Sequence, residues 1–136
     1  MRVGINGMGR IGRLALRSAF GGIYRPDSDP RAQNRLEVVH INEVKGGIAA
    51  TAHLLEFDSL HGRWNTSIGI DGSKAVTIAN KKLGFTEVPN PGDVAWGDIG
   101  CDVVLECTGK FLKQEQLRAY FDRGVKRVIV AAPVKD

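Results

Sequence analysis

Apolar residues fall along this chain in two rhythms. Short unbroken runs, the form taken by strands covered on both faces, lie at residues 2–5, 36–41 (L-E-V-V-H-I), 102–106 (D-V-V-L-E) and 127–132 (R-V-I-V-A-A). Between them, spacings of three and four predict helices. One opens at Arg10 with Ile11, Leu14, Ala15, Ala19 and Phe20 on one face. A second, over 48–57, sends Ala49, Ala52, Leu54 and Leu55 to a core, and a third, over 113–123, turns Leu117, Tyr120 and Phe121 inward, with Gly124 as its C-cap. Glycines and prolines between 21 and 35 break both periods and predict a surface loop. From 65 to 88 the rhythm becomes S-I-G-I, A-V-T-I-A and K-L-G-F-T-E-V, parted by the hairpin signals Asp71-Gly72 and Asn80-Lys81. Pro89-Asn90-Pro91-Gly92 ends that stretch, and a helical turn around Trp96 follows. The expected fold is α/β: a doubly wound, mostly parallel sheet with an antiparallel β appendage, forming one domain over 1–136.

The first strand runs directly into G-x-G-x-x-G at Gly7, Gly9 and Gly12, and the first helix starts within the motif. In a dinucleotide site the three glycines have separate tasks: the tight turn, room for a pyrophosphate against bare backbone, and close packing of helix on strand. The helix start then presents free N–H groups and a positive dipole end to the phosphates. The second strand ends at Asn42-Glu43, where a carboxylate can accept hydrogen bonds from the adenosine ribose. Glu43 lies farther from the glycines than the usual ~20 residues, which the 21–35 loop accounts for if it is an insertion. Lys45 could receive a 2′-phosphate, which leaves NADP open beside NAD. After the 102–106 strand, Thr108 and Gly109 fall at a strand C-terminus, where open α/β sheets place ligand contacts; Phe111 serves equally as ring-packing or core residue.

Composition narrows the remaining choices. A charged fraction of 25% and a hydrophobic fraction of 43% describe an ordinary globular protein. No apolar run approaches ~20 residues and no signal-peptide pattern opens the chain, so membrane spans are unsupported and a cytoplasmic location is the default. A net charge of +4, with arginines crowding the front quarter, suits an anionic small molecule as well as nucleic acid, and acids interleave elsewhere, so nucleic acid is not favoured. Cys101 and Cys107 lack metal-ligand or redox spacing and read as reduced packing residues. His40, His53 and His61 have no nucleophile or acid placed for catalysis and read as structural, and Trp96 reads as a packing anchor.

Several motifs together resemble glyceraldehyde-3-phosphate dehydrogenases. N-G-M-G-R-I-G-R from Asn6 is similar to that family's N-G-F-G-R-I-G-R, and F-D-S-L-H-G-R from Phe57 to its Y-D-S-T-H-G-R. E-C-T-G-K-F from Glu106 is similar to E-S-T-G-x-F, and A-P-V-K-D from Ala132 to the end of S-A-P-S-K-D. The resemblance implies a Rossmann-type, NAD-dependent enzyme that oxidises a small phosphorylated aldehyde to an acyl phosphate through a cysteine thioester, as a homotetramer. It also implies that Arg10 and Ile11 give backbone contacts to the pyrophosphate and that Glu43 stands for the ribose-binding Asp. Thr108 and Gly109 would line the cleft, Phe111 would pack near the adenine, and Ala131 would approach the nicotinamide half.

Departures from the family pattern include Glu43 in place of Asp, Val88-Pro89-Asn90-Pro91 in place of E-R-D-P, and the long 21–35 loop. The loop suggests a paralogue branch, with an erythrose-4-phosphate dehydrogenase or an arsenate-resistance paralogue as alternatives. A stand-alone nucleotide- or RNA-binding module is the alternative outside enzymes. The family's nucleophilic cysteine and its histidine partner have no counterpart in these residues, and Cys107 aligns with a serine. The expectation is a cofactor-binding part, incomplete and inactive by itself.

Overall fold

The computed structural model describes residues 1–20, 36–59 and 62–135. The 21–35 loop and His61 lie outside the described residues. In chain order the elements are β1 (Arg2–Asn6), α1 (Arg10–Ala19), β2 (Glu37–Asn42), α2 (Gly47–Glu56), β3 (Phe57–Asp58), β4 (Gly62–Arg63), β5 (Ile68–Asp71), β6 (Ala75–Ile78) and β7 (Lys81–Thr86). A 3-10 turn at Pro91–Asp93, then α3 (Trp96–Ile99), β8 (Val103–Glu106), α4 (Gln114–Asp122) and β9 (Arg127–Val130) complete them.

Seven strands form one sheet in the order β5-β6-β7-β2-β1-β8-β9. The pairs β7–β2, β2–β1, β1–β8 and β8–β9 are parallel, whereas β5–β6 and β6–β7 are antiparallel. The antiparallel appendage is therefore joined edgewise to the sheet through β7 rather than packed on it. β3 and β4 make a separate two-stranded ladder. Chain direction across the sheet reverses at β1: the path leaves it toward β2 and later returns to its other side as β8. That switch opens a crevice at the strands' C-terminal ends.

Both faces are covered over β1, β2 and β8, as continuous apolar runs require, whereas β9, expected to be covered likewise, leaves one face open with Ile129 exposed. On one face Val3, Ile5, Val38 and Ile41 pack with Leu16 of α1 and Leu55 of α2. On the other, Trp96, Leu117 and Tyr120 cluster with Val104 and Val125. Gly4 is needed there because a Cβ on it would lie 2.6 Å from the Trp96 ring. His40 packs edge-to-face on the same indole at 5.6 Å between ring centroids.

The helix faces differ from the sequence reading at four positions: Ile11, Ala49, Leu54 and Phe121, expected inward, are exposed. In α1 the buried line is Gly12, Leu16 and Arg17. Arg17 is buried because its guanidinium donates to the carbonyls of Leu55 and Glu56 at the end of α2 and to that of Gly62, and lies 5.6 Å from the centroid of Trp64. A polar side chain thus takes a place that an apolar pattern assigns to neighbours, and rotates the stripe away from Ile11. Gly124 has φ +89° and follows the last turn of α4, as its predicted capping role demands.

Candidate functional site

Gly7 ends β1 at φ +95°, a region that favours glycine, and a Cβ there would stand 2.7 Å from the Thr108 backbone nitrogen. Its own N–H donates to the Asn42 carbonyl at 2.9 Å, which ties the turn to β2. A Cβ on Gly12 would lie 2.1 Å from the Gly7 carbonyl oxygen, so this glycine lets α1 start directly on the turn. Gly9 is different. Its φ of −71° is open to any residue, and a Cβ on it would meet nothing within 4 Å among the described residues. Among the described residues nothing asks for glycine at position 9, and the space over it is open.

Gly9 is the N-cap of α1 and supplies no side-chain cap. The first N–H groups of the helix, at Arg10, Ile11 and Gly12, have no intrahelical acceptor and face the strand ends with the positive end of the dipole. No acidic residue occupies that first turn. The arrangement is built for an anion, and phosphate is the form that helix starts after glycine turns accept best.

Glu43 follows β2 with its carboxylate beside this cradle. One oxygen accepts the Met8 N–H at 2.5 Å and the other the Lys45 N–H at 3.0 Å. A carboxylate has about four lone-pair sites, so both oxygens keep capacity for hydroxyl donors. Across the crevice, Thr108 follows β8, and its N–H and hydroxyl both donate to Oε1 of Glu106. Gly7, Glu43, Thr108 and Phe111 line one pocket together with Val88 and Pro89, and Lys45 and Lys110 stand at its rim. Gly109 is exposed with φ +72° just past Thr108. Arg10 and Ile11 are exposed at the helix start, and exposed Ala131 lies at the end of β9, its N–H donating to the Glu106 carbonyl at 3.0 Å. The fold therefore gathers Gly7, Glu43, Thr108 and Phe111 in one cleft, while Gly9, Arg10, Ile11 and Gly12, at the start of α1, do not line it. Ala131 sits two strands away from β1.

The sequence reading missed the polar layer under the cleft. Glu106 is buried, and Oε2 accepts from Asn6 Nδ2 at 2.9 Å and from the Tyr120 hydroxyl. Burial, then the neighbouring carboxylate, push the Tyr120 phenol above its ordinary range. Asn6 in turn accepts from Asn42 Nδ2 at 2.8 Å. The signal was there: R-V-G-I-N, E-V-V-H-I-N, K-K-L-G-F-T and V-V-L-E are apolar runs that each stop on a polar residue. Its meaning needs the strand order, which sets those four ends side by side.

Neither thiol is equipped as a nucleophile. Burial pushes both Cys101 and Cys107 up to about 11, so each is a thiol at neutral pH. Among the described residues no group of three or more His, Cys, Asp and Glu side chains could hold a metal ion. No helix there is long and apolar enough to cross a membrane.

Comparison with known proteins agrees with this geometry. A family model described as the glyceraldehyde 3-phosphate dehydrogenase NAD-binding domain matches residues 1–114. The chain is 53% identical over 136 residues to glyceraldehyde-3-phosphate dehydrogenase 3 of Nostoc sp. strain PCC 7120, covering all of the chain and 37% of that relative. It is 38% identical over 136 residues to the glyceraldehyde-3-phosphate dehydrogenase of Geobacillus stearothermophilus, again all of the chain and 37% of the relative. With the plasmid form from Cupriavidus necator it shares 39% over 133 residues, 98% of the chain and 37% of the relative. The chain thus spans little more than a third of the length of the curated relatives it matches. The open space over Gly9, the uncapped helix start and the spare acceptors on Glu43 fit a dinucleotide; with the family match over 1–114, the chain belongs to the NAD-binding domain family of the glyceraldehyde-3-phosphate dehydrogenases.

Proposed function

We propose that this chain is the NAD-holding part of a phosphorylating glyceraldehyde-3-phosphate dehydrogenase. The carrying observation is Gly9, a glycine that the fold itself does not require, set over free N–H groups at the start of a ten-residue helix. Bound there, NAD supplies the hydride acceptor for an aldehyde. The residues of this chain bind and orient. The N–H groups of Arg10 and Ile11 hold the pyrophosphate, and Glu43 accepts from the adenosine ribose hydroxyls. Phe111 and the Val88–Pro89 wall flank the base, Thr108 and Gly109 line the middle of the cleft, and Ala131 marks the nicotinamide side. In this reading the substrate is a small phosphorylated aldehyde, and the homotetramer and cytoplasmic location go with the family. On the same reading the aldehyde chemistry is assigned to the part of the relatives that this chain does not span. The polypeptide by itself binds dinucleotide and does not turn over aldehyde.

Calorimetric titration with NAD and NADP tests the reading. NAD saturates one site, and NADP binds more weakly because its 2′-phosphate meets the Glu43 carboxylate. Absence of saturable binding by either dinucleotide would overturn the assignment. Within it, Glu43→Ala is expected to weaken NAD binding by ~1–3 kcal/mol through lost charged hydrogen bonds. An unchanged titration curve removes Glu43 from the ribose.

A further inference from the structure

The polar layer under the cleft is one directed chain of hydrogen bonds. Glu106, Asn6, Asn42 and Thr86 occupy the same register on the adjacent parallel strands β8, β1, β2 and β7. Around the Glu106 carboxylate every neighbour is a donor: Thr108 N–H and hydroxyl on one oxygen, Asn6 Nδ2 and the Tyr120 hydroxyl on the other. That fixes Asn6 with its amide nitrogen toward Glu106 and its oxygen toward β2. Asn42 must then turn Nδ2 to Asn6, as it does at 2.8 Å. The same orientation lets Asn42 grip the Val88 backbone twice, donating to its carbonyl at 2.9 Å and accepting its N–H at 3.0 Å. Oδ1 of Asn42 also accepts the Thr86 hydroxyl at 2.7 Å, so Thr86 has its proton committed and must accept from His40 Nε2 at 2.9 Å. The tautomer of a histidine on β2 is thereby set from β8, with every donor aimed back toward one buried anion.

We infer that Glu106 is a positioning residue for the cleft: its carboxylate sets the direction of this four-strand row, and the row holds both walls of the nucleotide site, Thr108 on one side and Val88 on the other. That the cleft takes NAD rests on the function proposed above; the row itself does not. Glu106→Gln preserves shape and turns one acceptor into a donor. The new amide nitrogen cannot face Thr108, whose N–H is fixed, so it faces Asn6. Asn6 would have to flip to accept it, and would then present Nδ2 to Asn42 Nδ2. Asn42 cannot follow, because the Val88 backbone to which it is paired has no second orientation. The conflict therefore lands on Val88, remote from the substituted residue.

The test combines amide NMR of the full 136-residue chain with NAD titration of the same samples. In the unsubstituted protein, through-hydrogen-bond couplings should join Asn42 Nδ2 to the Asn6 side-chain carbonyl carbon and the Val88 N–H to that of Asn42. Loss of either coupling overturns the row without recourse to a variant. In Glu106→Gln, the Thr108 and Val88 amide signals and both asparagine side-chain amides should shift together, and NAD affinity should fall about tenfold. Tyr120→Phe removes one donor to Glu106 and one acceptor of Asn6 Nδ2 but leaves Asn6 donating to Glu106 and the direction intact, so its melting temperature should fall while the Val88 signal stays put and NAD affinity holds within twofold. Shifts confined to Thr108 and Asn6 in Glu106→Gln, or an equal loss of affinity in Tyr120→Phe, would overturn the positioning role. An unsubstituted protein that shows the couplings and ignores NAD would instead sink the cofactor assignment and leave the row standing.

Discussion

Gly9→Ala and Gly12→Ala should fail in opposite ways. At position 9 the backbone is in an extended conformation that alanine adopts freely, and the added methyl meets open space, so the protein should melt as the unsubstituted chain does. Its NAD affinity should nonetheless fall steeply, because the methyl occupies the approach of the pyrophosphate to the helix start. At position 12 the methyl would stand 2.1 Å from the Gly7 carbonyl oxygen, a backbone atom that cannot turn aside. The start of α1 would have to lift off β1, with Leu16 and Arg17 carried along. The expected cost is about 3 kcal/mol, at the upper end of what overpacking typically exacts. Urea unfolding and calorimetric titration of both variants separate the effects. A Gly9→Ala protein that binds NAD normally would show that no phosphate passes over that residue.

Acid should destabilise the fold through His40. Burial holds this imidazole down at about 4, against 6.5 for a free histidine. Above pH 6.5 neither the folded nor the unfolded chain protonates it and it contributes no slope. Between 6.5 and 4 the unfolded chain takes up a proton that the folded chain refuses, so stability falls with falling pH, by about 3 kcal/mol over the window. Below 4 both forms are protonated and this contribution levels off. The geometry agrees with the sign: Nε2 already donates to Thr86, the ring lies against Trp96, and a Cβ on Gly84 would stand 2.5 Å from Nδ1. His40→Gln can keep a donor for Thr86 without a proton to gain. Its free energy of unfolding, measured at several pH values, should show a shallower slope in that window. Superimposable slopes for the two proteins would assign the acid sensitivity elsewhere.

Much of this architecture was legible from the residues, and the reason differs from element to element. The β1 run leading into Gly7 and Gly12 carries its own geometry, since the turn and the helix contact each require a missing side chain within a few residues. The 65–88 hairpins were legible from their turns, and only the partner of β7 needed the structure, because strand pairing is a long-range choice that local pattern does not encode. The inward faces at Ile11, Ala49, Leu54 and Phe121 were misread because an apolar period cannot foresee a buried arginine, or a helix whose apolar positions outnumber what its neighbours cover. At the site, Glu43 and Thr108 announced themselves by ending strands. Glu106 and Asn6 ended strands as well, but their partners lie across the sheet, and a buried carboxylate has no local signature until its donors are known.

The central position of β1 has a kinetic consequence. Its residue Asn6 is paired with Glu106 on one side and Asn42 on the other, so the strand is completed only by a segment 100 positions downstream. Such distant closures slow folding, since chain entropy is surrendered before the contacts that compensate it have formed. Until β8 arrives, β1 presents an unpaired edge of valine and isoleucine. The β1–β8 ladder should therefore be the last part of the sheet to gain protection in refolding experiments, and the β1 edge that it covers the one most exposed to association with other chains while it waits.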